Sequence, residues 1–89
     1  KTKAMQIIVE GHTDSTPINT KEFPSNWHLS SMRAASVTKK LNELGIPNHH
    51  LSSRGFSDTR PLIEQVLNAS DHQKNRRVQL YIKPINGGN

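Results

Sequence analysis

Cysteine is absent from this 89-residue chain. That excludes a disulfide framework, a thiolate nucleophile and a zinc knuckle, and it leaves the redox compartment open. Aromatic residues are scarce, at two Phe, one Tyr and one Trp. None stands in the pattern by which nucleic-acid modules stack bases, so no nucleic-acid partner is expected. No apolar run approaches the ~20 residues of a membrane-spanning helix, and no charged-then-apolar signal peptide opens the chain. Acidic residues number 7 against 12 Lys and Arg, for a net charge of +5. The excess favours an anionic partner, although the basic residues are scattered and a solvated basic surface accounts for them equally well. Leu, Ile, Val and Phe together make 20 of the 89 residues, about 22%. That is close to the ~20% below which charged chains stay disordered. A domain of this size hides only about 60–65% of its surface on folding. The expectation is one domain over residues 1–89 with a thin core that leans on a missing segment, a partner or a ligand. Because the chain opens on Lys1, it reads as a fragment, with a flexible tail at 84–89.

Met5-Gln6-Ile7-Ile8-Val9 is a short β-branched run stopped by Glu10-Gly11, the composition of a strand covered on both faces. From Gly11 to His28 no period is sustained, and Pro17 and Pro24 mark a long loop, the kind that usually has a purpose. Leu29 to Leu44 reads as a helix, with Leu29, Met32, Val37, Leu41 and Leu44 on one stripe and Ser30 available as a cap. Gly45-Ile46-Pro47 ends it, since Gly takes the left-handed turn and Pro forbids continuation. Leu51–Phe56 reads as a second strand. Arg76–Lys83 reads as a third, with Val78, Leu80 and Ile82 alternating against polar neighbours. Between them, the apolar patch Leu62-Ile63 with Val66-Leu67 has room for one or two helical turns. This order predicts an α/β sandwich with a mixed sheet.

Arg33 is out of place, because it occupies the middle of the helix's apolar stripe. On these boundaries it also lies in the first turn, where a cation opposes the helix dipole. Either its stem covers the edge of the core or its guanidinium binds an anion. Gly11-His12-Thr13-Asp14 stands at the C-terminal end of a strand, the edge where ligands gather in open α/β sheets. His12 and Asp14 invite a metal-dependent hydrolase reading, but no third ligand follows at a helical spacing and no HExxH or G-x-S-x-G signature is present. No cofactor or metal site is therefore expected. Asn75-Arg76-Arg77-Val78 enters the last strand, and strand alternation lets only one of the two arginines point at the covered face.

Five blocks recur together and in order: Ile8–Asp14, Asn26-x-x-Leu29-Ser30-x-x-Arg33-Ala34-x-x-Val37, Leu44-Gly45-Ile46, Gly55-Phe56-Ser57-Asp58-x-x-Pro61 and Asn75–Val78. With them the chain, from about residue 7 to 83, resembles the OmpA-like peptidoglycan-binding domain. The loop around Thr16-Pro17 and Ser25–Ser30 is most similar to the flagellar stator branch, the MotB/PomB-like proteins. The resemblance implies a β-α-β-α-β-β fold with a mixed sheet and helices on one face. The family's domain also has a strand and helix ahead of the GHTD strand, with no counterpart here. It implies a non-catalytic module that holds the diaminopimelate-containing stem peptide of peptidoglycan. Asp14 would take the ligand's ammonium and Arg33 its carboxylate, with Thr13, Asn26, Asn75 and Arg77 as further binding residues. His72 stands where many members carry Arg. The implied setting is the periplasmic part of a bacterial inner-membrane protein that works as a homodimer. A MotA/PomA-like subunit would join it through an absent membrane segment. An outer-membrane or lipoprotein wall tether is the alternative within the same family, and the hydrolase using His12 and Asp14 the alternative outside it.

Overall fold

The computed structural model describes residues 5–84. Three strands, β1 (Met5–His12), β2 (Leu51–Gly55) and β3 (Arg77–Pro84), form one sheet in the order β2-β1-β3. β1 runs parallel to β2 and antiparallel to β3, so the sheet is mixed, as the order of elements predicts. Between β1 and β2 the chain makes the long helix α1 (Asn26–Glu43) and a single 3₁₀ turn at Asn48–His50. A short helix, α2 (Ala69–Asn75), precedes β3.

Strand alternation divides β1 into two faces. A Cβ on Gly11 would strike the backbone of Ser30 and Ala34 in α1, so the odd-numbered residues of β1 face that helix. Val9, on the helix side, and Ile8, on the other, are both buried. The expectation of a strand covered on both faces therefore holds for the middle of β1. The core is thin, as composition requires: Ile8, Val9 and Ala34 are the buried apolar residues among the described ones. Register places Leu80 opposite Val9 and Ile82 opposite Ile7, on the helix side. These two side chains stay about half exposed, because α1 lies over β1 and β2 and barely reaches β3.

Both ends of α1 are decided locally. Ser25, with extended backbone, accepts the N–H of His28 on its hydroxyl and starts the helix at Asn26, before the Leu29 expected from the apolar stripe. Arg33 is consequently the eighth residue of the helix, past the reach of the N-terminal dipole. Its unfavourable first-turn position is thus corrected, although it remains on the face towards the loop. At the other end Gly45, at φ 116°, donates to the Asn42 carbonyl, and Ile46 donates to that of Leu41. This is the hydrogen-bond pair of a Schellman stop, as Gly45-Ile46-Pro47 announces.

The second helix is not where the apolar patch suggested. Residues 62–67 are irregular, and α2 begins at Ala69 with Asn68 accepting the N–H of Asp71. The patch is held without helical bonds. The Asn75 side chain accepts the N–H groups of Leu62 and Ile63 and donates to the Ile63 carbonyl. The tail beyond Pro84, expected to be frayed, lies outside the described residues.

Candidate functional site

The loop that leaves β1 is anchored to two other elements. The Thr13 N–H donates to the Ser57 carbonyl at 2.9 Å, and the Phe56 N–H to that of Gly11 at 3.0 Å. Ser57 in turn donates its N–H to the Ser30 hydroxyl of α1 at 3.0 Å. Ser57 holds this position at φ 55°, a left-handed conformation that a non-glycine residue adopts only where its surroundings fix it. The head of the loop, the end of β2 and the second turn of α1 are therefore one hydrogen-bonded unit, and Asp14 is placed by it.

Asp14 is buried, with its carboxylate fully engaged. Oδ1 accepts the Thr16 N–H at 3.0 Å, closing a turn, and Oδ2 accepts from Arg76 Nη1 at 2.5 Å. The ring Nδ1 of His72 stands 3.5 Å from the same Oδ2. Burial works to raise the Asp14 pKa. The hydrogen bonds from Arg76 and Thr16 outweigh it and hold the carboxyl below its ordinary value. Asn26, the first residue of α1, donates its side-chain amide to the Thr16 carbonyl and so ties the loop back to the helix.

These residues enclose a recess of about 270 Å³. Its polar wall carries Thr13, Asp14, Asn26, Arg33 and Arg76, and Pro17, Ile18 and Leu29 supply the apolar part. Of the residues expected at a site, the fold brings Thr13, Asp14, Asn26 and Arg33 to this one recess. Asn75 does not line it, since all its side-chain contacts go to the backbone of Leu62 and Ile63. Arg77 lines an adjoining recess instead. Arg76 and His72 carry the interactions with Asp14 that sequence reading missed. The alternation argument allowed one arginine of the pair to reach the site but could not select Arg76, which ends α2 before the strand period begins.

His12 goes elsewhere. Its ring is buried and stacks on Phe56, with centroids 5.1 Å apart and planes 8° from parallel. Among the described residues neither ring nitrogen has a hydrogen-bond partner, and the nearest carboxylate oxygen, from Glu10, is 3.5 Å away. Burial and the charge of Arg77 lower the His12 pKa, against a smaller opposing pull from Glu10. The neutral ring is the form the fold accommodates. Among the described residues no three His, Cys, Asp or Glu side chains are grouped as a metal site would need, and His12 does not line the recess that holds Asp14.

What the recess can do follows from its charges. It presents a carboxylate and two guanidiniums to a pocket with apolar walls, an arrangement suited to a ligand carrying an ammonium and a carboxylate close together.

The chain is 42% identical over 79 residues to the uncharacterized protein YtxE of Bacillus subtilis. It is 40% identical over 79 residues to motility protein B of the same organism. These alignments take in 86% and 88% of this chain but 32% and 30% of the relatives, so the chain spans about a third of their length. Among solved structures, the C-terminal domain of Helicobacter pylori MotB superposes with a TM-score of 0.84 at 30% identity, over 92% of this chain and 61% of that one. The cell wall anchor of the T6SS from Pseudomonas aeruginosa superposes with a TM-score of 0.81 at 34% identity, over 92% and 56%. The OmpA family model matches residues 1–78, and the chain belongs to the OmpA family.

Proposed function

We propose that this chain is a non-catalytic module that binds peptidoglycan, holding the diaminopimelate residue of the stem peptide in the Asp14–Arg33 recess. The carrying observation is that Asp14, Arg33 and Arg76, distant in sequence, line one recess with the carboxylate already buried and ionised. In the free protein Arg76 occupies the cationic partner's place on Asp14. On binding, the ligand's ammonium takes that place, and the free guanidinium of Arg33 receives the carboxylate in a bidentate pair. Thr13 and Asn26 keep the loop in the shape that presents Asp14. Two relatives that are motility protein B and a neighbour that is a cell wall anchor support a role as wall anchor. In this reading the chain is the periplasmic anchor of a flagellar stator subunit. It works as a dimer and is joined to a MotA/PomA-like partner through a membrane segment outside this chain.

Sedimentation with purified sacculi and titration with a synthetic diaminopimelate-containing stem peptide test the proposal. Asp14→Ala and Arg33→Ala should each weaken peptide binding by about 2–5 kcal/mol, because each leaves an opposite charge of the ligand desolvated and unpaired. Arg33→Lys should restore little of it, since the ammonium lacks the planar fork. Normal peptide affinity in Arg33→Ala, or co-sedimentation equal to that of the unsubstituted chain in both alanine variants, would remove the assignment.

A further inference from the structure

Asp14 meets two side chains from the end of α2, not one. Arg76 donates to its Oδ2 at 2.5 Å, and the Nδ1 of His72 stands 3.5 Å from the same oxygen. The two residues are four apart, a spacing that brings both to one face of the helix end and so to the same carboxylate. They differ in how far they are committed to it. Arg76 carries its charge at every working pH and is hydrogen-bonded to Asp14. His72 Nδ1 is shut off from solvent and has no hydrogen-bond partner among the described residues. The side chain as a whole is 33% exposed, so water has access to the ring and can supply it with a proton. Protonation gives the ring a strong reason to close on Asp14, because a charge-assisted N–H···O bond is about twice as strong as a neutral one. Among the described residues Asp14 is the only carboxylate within ion-pair distance of this ring. Asp71, beside it in sequence, spends its Oδ2 on the Leu67 N–H. The other charges around it are cations. Arg76 is one turn on, Lys74 of the same helix is exposed, and Arg33 of α1 lines the recess that holds Asp14. Arg77 turns its guanidinium to Gln79 and to the carbonyls of Arg60 and Asn75. With His72 neutral, one carboxylate therefore balances one guanidinium, and a proton on His72 sets a second internal cation against Asp14.

We infer that His72 is a positioning residue that makes the recess's hold on an ammonium depend on pH: neutral, it leaves Asp14 Oδ2 to the ligand, and protonated, it takes that oxygen itself. His72 does not line the recess, so it acts on the ligand through Asp14. The inference rests on the proposed function, in which the ligand's ammonium displaces Arg76 from Asp14, and adds the condition under which that exchange is favourable. An ammonium seated on Oδ2 lies only a few ångströms from the ring, and like charges at that spacing repel strongly in a site partly shielded from water. Binding and protonation of His72 thus oppose each other, which fixes the sign. Affinity is full on the alkaline side and falls as acid takes the pH through the histidine range, roughly pH 8 to 5. Asp14 itself adds nothing to that slope. The bonds from Arg76 and Thr16 hold its carboxyl below its ordinary value, so it stays ionised throughout the range.

The test titrates the full chain by calorimetry with N-acetylated Ala–γ-Glu–diaminopimelate at about pH 7.5 and about pH 5.5. Acetylation removes the peptide's N-terminal amine, whose own titration would overlap the upper end of this window. Affinity should fall by about 5-fold or more between the two, against a ceiling of about 10-fold per pH unit for one linked proton. In His72→Gln, which has no titrating ring, the ratio of the two affinities should fall towards one. His28→Gln is the control. His28 precedes Leu29 of the recess wall, is exposed and is bonded to the Ser25 hydroxyl, and its replacement should leave the ratio as it is. A second readout avoids acid. At about pH 6.5, titrations in two buffers of different ionisation enthalpy should show protons released on binding by the unsubstituted chain and by His28→Gln, and none by His72→Gln. Equal affinities at the two pH values, an affinity that rises in acid, or a ratio that survives in His72→Gln overturns the role of His72 while leaving the parent reading intact. A peptide that binds at neither pH overturns the parent reading and this inference with it.

Discussion

Replacing Gly11 with alanine tests the contact on which both fold and recess depend. An ideal Cβ there overlaps the Ser30 carbonyl oxygen and comes within 2.9 Å of the Ser30 carbonyl carbon and 3.3 Å of the Ala34 nitrogen. All three are backbone atoms of a helix, so no side chain can rotate aside, and α1 must retreat by about 1 Å to restore ordinary contact. Retreat loosens Ala34 over β1 and stretches the 3.0 Å bond from Ser57 N–H to the Ser30 hydroxyl. Overpacking of this kind costs about 1–3 kcal/mol and a weakened hydrogen bond about 1 kcal/mol. Alanine's lower backbone entropy in a strand returns about 0.5–1 kcal/mol. The net expectation is a loss of about 2–3 kcal/mol. A chain of this length has ~4–13 kcal/mol of stability in all, and the thin core argues for the low end. Urea melts followed by circular dichroism should therefore show Gly11→Ala with a much lower midpoint. In heat the shift should be about 10 °C or more. Gly45→Ala is the control, since its Cβ meets nothing within 4 Å and its only burden is the φ of 116°. It should lose about 1 kcal/mol through backbone strain alone. A Gly11→Ala protein that unfolds within about 0.5 kcal/mol of the parent would refute the close-approach argument, because nothing else at that position requires glycine.

Two further predictions concern titration. The Asp14 carboxyl has a lowered pKa in the folded state, so its contribution is present above the unfolded value and is lost as acid takes the pH through the folded one. Arg76→Gln should cost about 1–2 kcal/mol at pH 7, a charged hydrogen bond discounted for the partial exposure of Arg76, and the gap between variant and parent should close as acid protonates Asp14 in the folded state. A gap independent of pH would show that Arg76 acts by packing. His12 also has a lowered folded pKa, so the unfolded chain binds the extra proton and stability falls as the pH drops below about 6.5. His12→Phe keeps a flat ring against Phe56 and removes the titrating group. Melts between pH 7.5 and 5 should show a shallower decline in the variant, and an unchanged decline would mean that the dependence arises elsewhere.

Local signals in the sequence determined the strands, the end of α1 and the family. β1 is a β-branched run, β3 alternates with period two, and Gly45-Ile46-Pro47 stops the helix through bonds that span six residues. Each of these rests on contacts within a few residues, so a one-dimensional pattern carries it. The start of α1 was harder, because Ser25 and Ser30 are both competent caps and apolar spacing favoured the later one. The Ser25 hydroxyl won, and Ser30 was left free to bind Ser57. α2 has a cap at Asn68 with Asp71 three residues on, yet its seven residues, all polar but Ala69, carry no period that would outweigh the apolar patch before it. What only the tertiary structure decided is the partner of Asp14. Arg76 meets it across 62 residues of chain, where α2 ends and β3 has not begun, and Arg77 turns its guanidinium to Gln79 and the carbonyls of Arg60 and Asn75. Period and propensity describe neighbours along the chain, whereas an ion pair between a loop and a helix end depends on how the elements stack. The composition of GHTD and NRR named the participants, but the fold alone chose which arginine holds the carboxylate.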